Sequence, residues 1–218
     1  MTLRHAAGEA ARSATDAFVM PRFKRSPLPD DVALIGIYRR RNAEHARALV
    51  DAVRQVGWTA AWWALDDVAD DLAEHTVGQG SGEKFTLLNE IVERASLVRG
   101  WLLVADDDLV FVRGSPPLLV QVCGAAQFAL AQPAQDASGW PSHEITVRRA
   151  VSIARATTFV EIGPLFVVAP SCRGRIVPFS PAAGMGWGME LEWSDLVVQG
   201  CRLGVVDAVV VKHVAPGG

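Results

Sequence analysis

The stretch Trp101-Leu102-Leu103-Val104-Ala105-Asp106-Asp107-Asp108 joins an apolar run to three consecutive carboxylates, and its reading decides the fold. A short continuous apolar run with no polar alternation has the pattern of a strand buried on both faces, as in the middle of an α/β sheet. Open α/β folds bind ligands beyond the carboxyl ends of such strands. Three adjacent carboxylates repel one another, and a hard divalent cation such as Mg2+ or Mn2+, shared with substrate phosphates and water, offsets that repulsion. Residues Asp106 to Asp108 are therefore the first candidate site.

Working outward from this turn, strands and helices alternate on both sides. Upstream, Val32 to Tyr38 reads as a buried strand and Asn42 as a helix cap. Leu49, Val50, Val53 and Val56 then form one helical stripe that stops at Gly57. Trp58 to Leu65 is a second strand, followed by the acidic segment Asp66 to Asp71. Gly78, Gly80, Ser81 and Gly82 read as a loop before a helix marked by Phe85, Leu88, Ile91, Val92 and Ala95. Downstream, Leu109 to Val112 is extended. Ser115-Pro116 starts a helix expected to run to about Ala131, with Gln132 to Ser142 as loop. Thr157 to Val168 and Arg175 to Phe179 read as strands, Met189 to Cys201 as a helix and Val205 to Val211 as a last strand. The expected fold is a three-layer α/β domain, a mainly parallel sheet with helices on both faces, over residues 31–218. Residues 1–30 read as an arm, with a short helix around Ala6 to Ala17 that ends in the Pro21, Pro27, Pro29 stretch.

Composition narrows the partners. Half of the 218 residues are hydrophobic and 21% are charged, the profile of a packed globule. A net charge of −3 with scattered Lys and Arg, apart from Arg39 to Arg41, argues against nucleic acid. Cys123, Cys172 and Cys201 form no CxxC pair and read as buried reduced thiols. No apolar run reaches the ~18 residues of a membrane helix, and Met1 to Met20 lacks the core of a signal peptide, so a cytoplasmic protein is expected.

A second constellation is Gly184-Met185-Gly186-Trp187-Gly188-Met189-Glu190-Leu191-Glu192. Its glycines let a backbone approach a ligand, Trp187 offers a flat face for a sugar ring, and carboxylates open the helix that follows. Glu161 is an odd charge within an apolar strand pattern and calls for a polar role. His213 follows the last apolar strand.

The acidic turn, the Gly82-Glu83-Lys84 segment with Leu87, Leu88 and Asn89, and the Gly-Trp-Gly segment together resemble the GT-A glycosyltransferases. The resemblance covers roughly Asp31 to Pro216. It implies a divalent cation, Mn2+ or Mg2+, held by Asp106, Asp108 and His213 and bridging the diphosphate of a nucleotide sugar. It places Tyr38, Arg39, Arg41, Asp66, Lys84, Asp106, Asp107 and Trp187 around that donor, with UDP as the default nucleotide. A carboxylate in the Gly-Trp-Gly region would deprotonate the acceptor hydroxyl. Leu191 stands at the family's second acidic position, so the base is Glu190 or Glu192. Phe159 to Leu165 resembles a short signature of GT-A-like bacterial proteins, and Glu161, His143 and Arg148 are candidates to face the acceptor. The implied activity is metal-dependent sugar transfer to an unidentified hydroxyl, with inversion. The alternatives are an inactive nucleotide-sugar or carbohydrate-binding module and a metal-dependent nucleotidyltransferase.

Overall fold

The computed structural model describes residues 27–139, 141–180, 186 and 188–214; the helix expected around Ala6 to Ala17 lies outside them. The described strands are β1 (Val32–Tyr38), β2 (Thr59–Ala64), β3 (Thr76–Gln79), β4 (Trp101–Asp106), β5 (Leu109–Arg113), β6 (Leu130–Gln135), β7 (Arg155–Thr157), β8 (Leu165–Val168) and β9 (Leu203–His213). The helices are α1 (Ala43–Arg54), α2 (Lys84–Arg94), α3 (Pro116–Ala125), α4 (Pro170–Ile176) and α5 (Met189–Val198), with three 3-10 turns at Arg40–Asn42, Asp70–His75 and Glu144–Thr146.

All nine strands belong to one sheet in the order β3-β2-β1-β4-β8-β6-β9-β5, with β7 on β9. The half built first along the chain, β3-β2-β1-β4, is parallel. Beyond it the sheet is mixed: β8 runs antiparallel to β4 and β6, β9 parallel to β6, and β5 and β7 antiparallel to β9. Alternate side chains divide the core into two layers, as the two-residue period of a strand requires. Leu34, Trp62, Leu103, Val167 and Val206 pack with α1 and α3 on one face. Ile35, Trp63, Val104, Phe166 and Val168 pack with α2, α4 and α5 on the other. Gly36 admits the Trp62 indole across β1, since a Cβ there would meet it at 2.3 Å and the Ala105 carbonyl at 2.5 Å.

Five expectations about elements are corrected. The helix opened by Ser115, whose hydroxyl accepts from Leu118 N–H, stops at Ala125 because Gln127 turns left-handed at φ 55°, and the next residues enter the sheet. The first part of the expected loop, Gln132 to Gln135, thus belongs to β6, which is buried throughout. Arg175 to Phe179 is not a strand: Pro170 at the helix start opens α4, which runs through Arg175, and the buried Arg173 guanidinium donates to the Leu97 and Gly100 carbonyls. The single strand expected over Thr157 to Val168 is two short ones, β7 and β8, joined by a connection that includes a cis Gly163-Pro164 bond. Finally, Gly78 lies within β3 and not in a loop; the Trp63 ring fills the space a Cβ there would need.

The cysteines far apart in sequence are not all apart in space. Cys172 and Cys201 bring their sulfurs to 3.7 Å, well beyond the ~2.05 Å of a disulfide, so they are thiols in contact. Burial pushes the Cys172 thiol up to about 12, and the neighbouring Cys201 acts in the same direction.

Candidate functional site at the acidic turn

β1, β2 and β4 end together at one edge of the sheet, because they run parallel with Tyr38 beside Ala64 and Ile37 beside Asp106. Carboxylates at that edge organise the chain leaving β1. Asp107, two-residue neighbour of β5, accepts the Arg39 backbone N–H at 2.6 Å, and Asp66 beyond β2 accepts that of Arg40 at 2.7 Å. Burial holds the Asp107 carboxyl above the usual carboxylate range; the Arg39 N–H and the Asn42 side chain oppose this, and the Asp108 and Asp106 charges reinforce it. Asn42 occupies the N-cap of α1 without a capping hydrogen bond from its side chain.

Asp106 faces the other way, toward α2. Lys84, the first residue of that helix, places its ammonium 2.5 Å from Asp106 Oδ1 and 3.1 Å from the Ile162 carbonyl. The chain Glu161-Ile162-Gly163-Pro164 runs alongside, with Asp106 N–H donating to the Pro164 carbonyl at 2.8 Å. Gly163 is required here, since a Cβ would stand 2.5 Å from Asp106 Oδ2.

Asp108 meets His213 from the end of β9, with Nδ1 and Oδ1 3.3 Å apart. The contact is an ion pair, and its geometry falls short of a hydrogen bond for the buried Nδ1. Burial alone would raise the Asp108 carboxyl, but His213 and the more distant Lys84 outweigh it and hold it below its usual range. His213 is raised in turn by Asp108, against burial, with Asp106 assisting and Lys84 opposing.

Among the described residues no three His, Cys, Asp or Glu side chains converge as a metal cluster. The Asp108 and His213 pair nevertheless fits two neighbouring positions on one cation. Donors at ~2.1 Å on adjacent octahedral positions stand about 3 Å apart, close to the distance found, and the buried Nδ1 makes no hydrogen bond that a cation would displace. Asp106, expected as a third ligand, is committed to Lys84 instead.

The remaining sequence candidates divide clearly. Tyr38 is not a stacking surface for a base: it is fully buried, edge-on to Trp62, with its hydroxyl accepting from Ala69 N–H and bonded to Thr76. Arg39, Arg41 and Asp66 are exposed at the sheet edge. Trp187 lies outside the described residues. Gly186 packs against Phe85 and Ile162, where a Cβ would stand 2.1 Å and 2.9 Å from them, which brings Gly186 beside the first turn of α2. Glu190 is buried and its Oε2 accepts the Gly188 N–H at 3.1 Å, a capping interaction, whereas Glu192 is exposed on another face of α5.

Glu161 and His143 come together. Glu161 is buried, accepts from Gln135 Nε2, Thr146 Oγ1 at 3.1 Å and His143 Nδ1 at 3.0 Å, and its own N–H donates to Gln132 Oε1 at 2.6 Å. Burial raises its carboxyl above the usual range against those donors. The Arg148 backbone N–H donates to the Gln135 carbonyl, and its charge bears on Asp136. Sequence reading passed over Gly163, Gln132, Gln135 and Thr146. The one signal for them was Glu161, a charge in an apolar pattern that had to be satisfied by something.

A depression of about 700 Å³ between α2 and α4, lined by Asn89, Val92, Leu97, Pro170 and Val177 among others, contains none of the acidic-turn residues. The candidate site is recognised by its convergent charges. No helix among the described residues is long and apolar enough to cross a membrane.

No family model matches this sequence, and no curated protein matches it. Among solved structures, the chain is similar to GalNAc-T7 in its crystal structure with UDP, GalNAc and Mn2+, with a TM-score of 0.62 at 13% identity over 87% of this chain and 44% of that one. It therefore spans less than half of that structure's length. It also matches A197 from STIV, with a TM-score of 0.47 at 10% identity over 85% of this chain and 86% of that one. The architecture shared with GalNAc-T7, an α/β sheet with flanking helices, is the GT-A fold.

Proposed function

We propose that this chain is a glycosyltransferase that moves a sugar from a nucleotide diphosphate sugar, UDP-linked by default, to an acceptor hydroxyl. The observation that carries the reading is the meeting of Asp108 and His213, 105 positions apart in sequence, at the edge of the sheet where Lys84 and Asp106 also pair. A paired carboxylate and imidazole leave the other positions of a Mn2+ or Mg2+ ion to diphosphate oxygens and water, the arrangement hard cations favour. When bound, the cation would stabilise negative charge on the departing diphosphate. Support also comes from the GalNAc-T7 structure, which has the same fold and holds UDP, GalNAc and Mn2+.

In this reading the protein's own groups bind and orient. Lys84 supplies a cation at a helix start, where the backbone dipole also favours an anion. Exchange of its partner from Asp106 to a donor phosphate would free the Asp106 carboxylate for a sugar hydroxyl or for the metal. Asp107 and Asp66 hold the chain at Arg39 and Arg40 through backbone N–H groups, and the exposed Arg39 and Arg41 would then meet the donor from that edge.

The test is calorimetric titration of UDP-sugars with and without Mn2+. Asp108→Ala should lose Mn2+-dependent binding while keeping the far-UV spectrum of the native fold. Wild-type affinity in that variant would remove the metal assignment, and donor binding without any release of nucleoside diphosphate would leave a binding module in place of an enzyme.

A further inference from the structure

The Glu161 and His143 pair is not explained by packing. A carboxylate buried at 5% relative exposure is costly to hold unless it does something, and here it receives three side-chain donors while drawing in a ring that is itself half exposed. The His143 ring is fixed at two points. Nδ1 is 3.0 Å from Glu161 Oε1, and the face of the ring lies tilted against Phe159 with centroids 4.6 Å apart. Nε2 has no partner among the described residues, and 48% of the side chain is open to solvent. With Nδ1–H donating to the carboxylate, Nε2 carries the lone pair and points away from it, the tautomer a base requires.

The location matters as much as the geometry. Glu161 stands two residues before Gly163, so their Cα atoms are separated by at most about 7 Å. Gly163 lies against Asp106 and Lys84, and the Ile162 carbonyl between them accepts from Lys84. The same four-residue stretch therefore has the acid-imidazole pair at one end and the proposed donor-binding pair at the other. Beside Glu161, the wholly buried Gln132 side chain spends its oxygen on the Glu161 N–H and leaves its Nε2 with no partner, a donor that a bound oxygen would satisfy. Glu190, first expected in the proton-accepting role, already accepts the Gly188 N–H.

We infer that His143, oriented by Glu161, is the general base that activates the acceptor hydroxyl; the inference rests on the sugar-transfer reading above. His143 Nε2 takes the hydroxyl proton as the acceptor oxygen bonds to the anomeric carbon. The bond from that carbon to the diphosphate oxygen breaks, and its electron pair leaves with the nucleoside diphosphate. The proton stays on the imidazole, where the Glu161 carboxylate stabilises the resulting charge. Glu161 is a positioning residue in this scheme and does not touch the acceptor.

The experiment uses the full chain with Mn2+, a panel of UDP-glucose, UDP-galactose and UDP-N-acetylglucosamine, and water as the acceptor, with UDP release as the readout and donor affinity measured in parallel. H143Q should bind donor as the wild type does and release UDP at least ~10²-fold more slowly, the scale for a lost general base. H143G should regain release on addition of free imidazole. E161Q should lower the rate and shift the pH dependence of release without altering donor affinity, a readout that a merely structural Glu161 would not move. Release at the wild-type rate in H143Q, or loss in E190Q with none in H143Q, overturns the base assignment and leaves the donor site intact. Wild-type protein that binds no donor, or that binds donor and releases no UDP, overturns the sugar-transfer reading itself and this inference with it.

Discussion

Gly163 has a task that no other residue can perform in place: a Cβ would come within 2.5 Å of Asp106 Oδ2 and 3.6 Å of Lys84 Nζ. Gly163→Ala should part the Lys84 and Asp106 pair, reducing donor affinity by tenfold or more, while the added methyl costs about 1–3 kcal/mol of stability as overpacking does. Calorimetry and urea denaturation of the same preparation separate the two effects. Glu161 lends itself to a different measurement, because its folded-state carboxyl lies above the ordinary 4.5 through burial. In the pH range between those two values Glu161 binds more protons in the native state than in the unfolded one, so its contribution to stability is greatest below 4.5 and is lost as pH rises through the folded value. Denaturation of wild type and Glu161→Gln over a pH series should show the wild type losing stability relative to the variant in that window; parallel curves would mean that burial does not perturb Glu161. Asp106 to Asp108 stood out in the sequence because they end a buried strand, and Lys84 and His213 stood out through the resemblance to GT-A enzymes. Gly163 and Gln132 did not, since their importance lies in contacts with residues 57 and 29 positions away.

At the level of elements, the join between α2 and the chain beyond α4 depends on one amide. Asn89 donates to the Phe179 carbonyl at 2.9 Å and accepts the Phe179 N–H at 2.8 Å, a reciprocal pair that pins the segment entering the Gly-Trp-Gly stretch. Phe179 is buried against Phe85 and Phe166, so both backbone groups would be left short of partners. Asn89→Ala is expected to cost about 1–3 kcal/mol, the penalty for buried polar groups left unsatisfied, measured as a shift in the denaturation midpoint at constant slope. β1, β2, β4 and the first two helices were legible because each presents an unambiguous period or a bounded apolar run, whereas β3, a short strand around Gly78, read as loop. β6 was not legible either: Gln132, Pro133 and Gln135 in LAQPAQ read as loop, and only burial between β8 and β9, with the glutamines turned onto Glu161, makes them a strand. α4 failed for the opposite reason, a short helix with Gly174 inside it whose support is the tertiary anchorage of Arg173.

Over the whole molecule, the proposed site draws on β4, α2, the end of β9 and the connection before β8, so a ligand that binds it should report on global stability. At a donor concentration one hundred times its Kd, linkage predicts about 2.7 kcal/mol of added stability. For a chain of this length that is roughly a 5–10 °C rise in Tm, dependent on Mn2+ and absent in Asp108→Ala. No shift with any UDP-sugar in a thermal scan would count against the donor reading. By itself the sequence determined the α/β class, the strand that ends in the acidic turn and the helix start that carries Lys84, because periodicity, capping residues and apolar runs are properties of neighbouring residues. The tertiary structure alone decided the mixed half of the sheet, the commitment of Asp106 to Lys84, the burial of Tyr38 in the core, and the pairings of Asp108 with His213 and of Glu161 with His143. Those outcomes depend on which distant segments share the low-dielectric edge of the sheet, where an unpaired charge is costly and each group takes whatever partner the topology brings within reach.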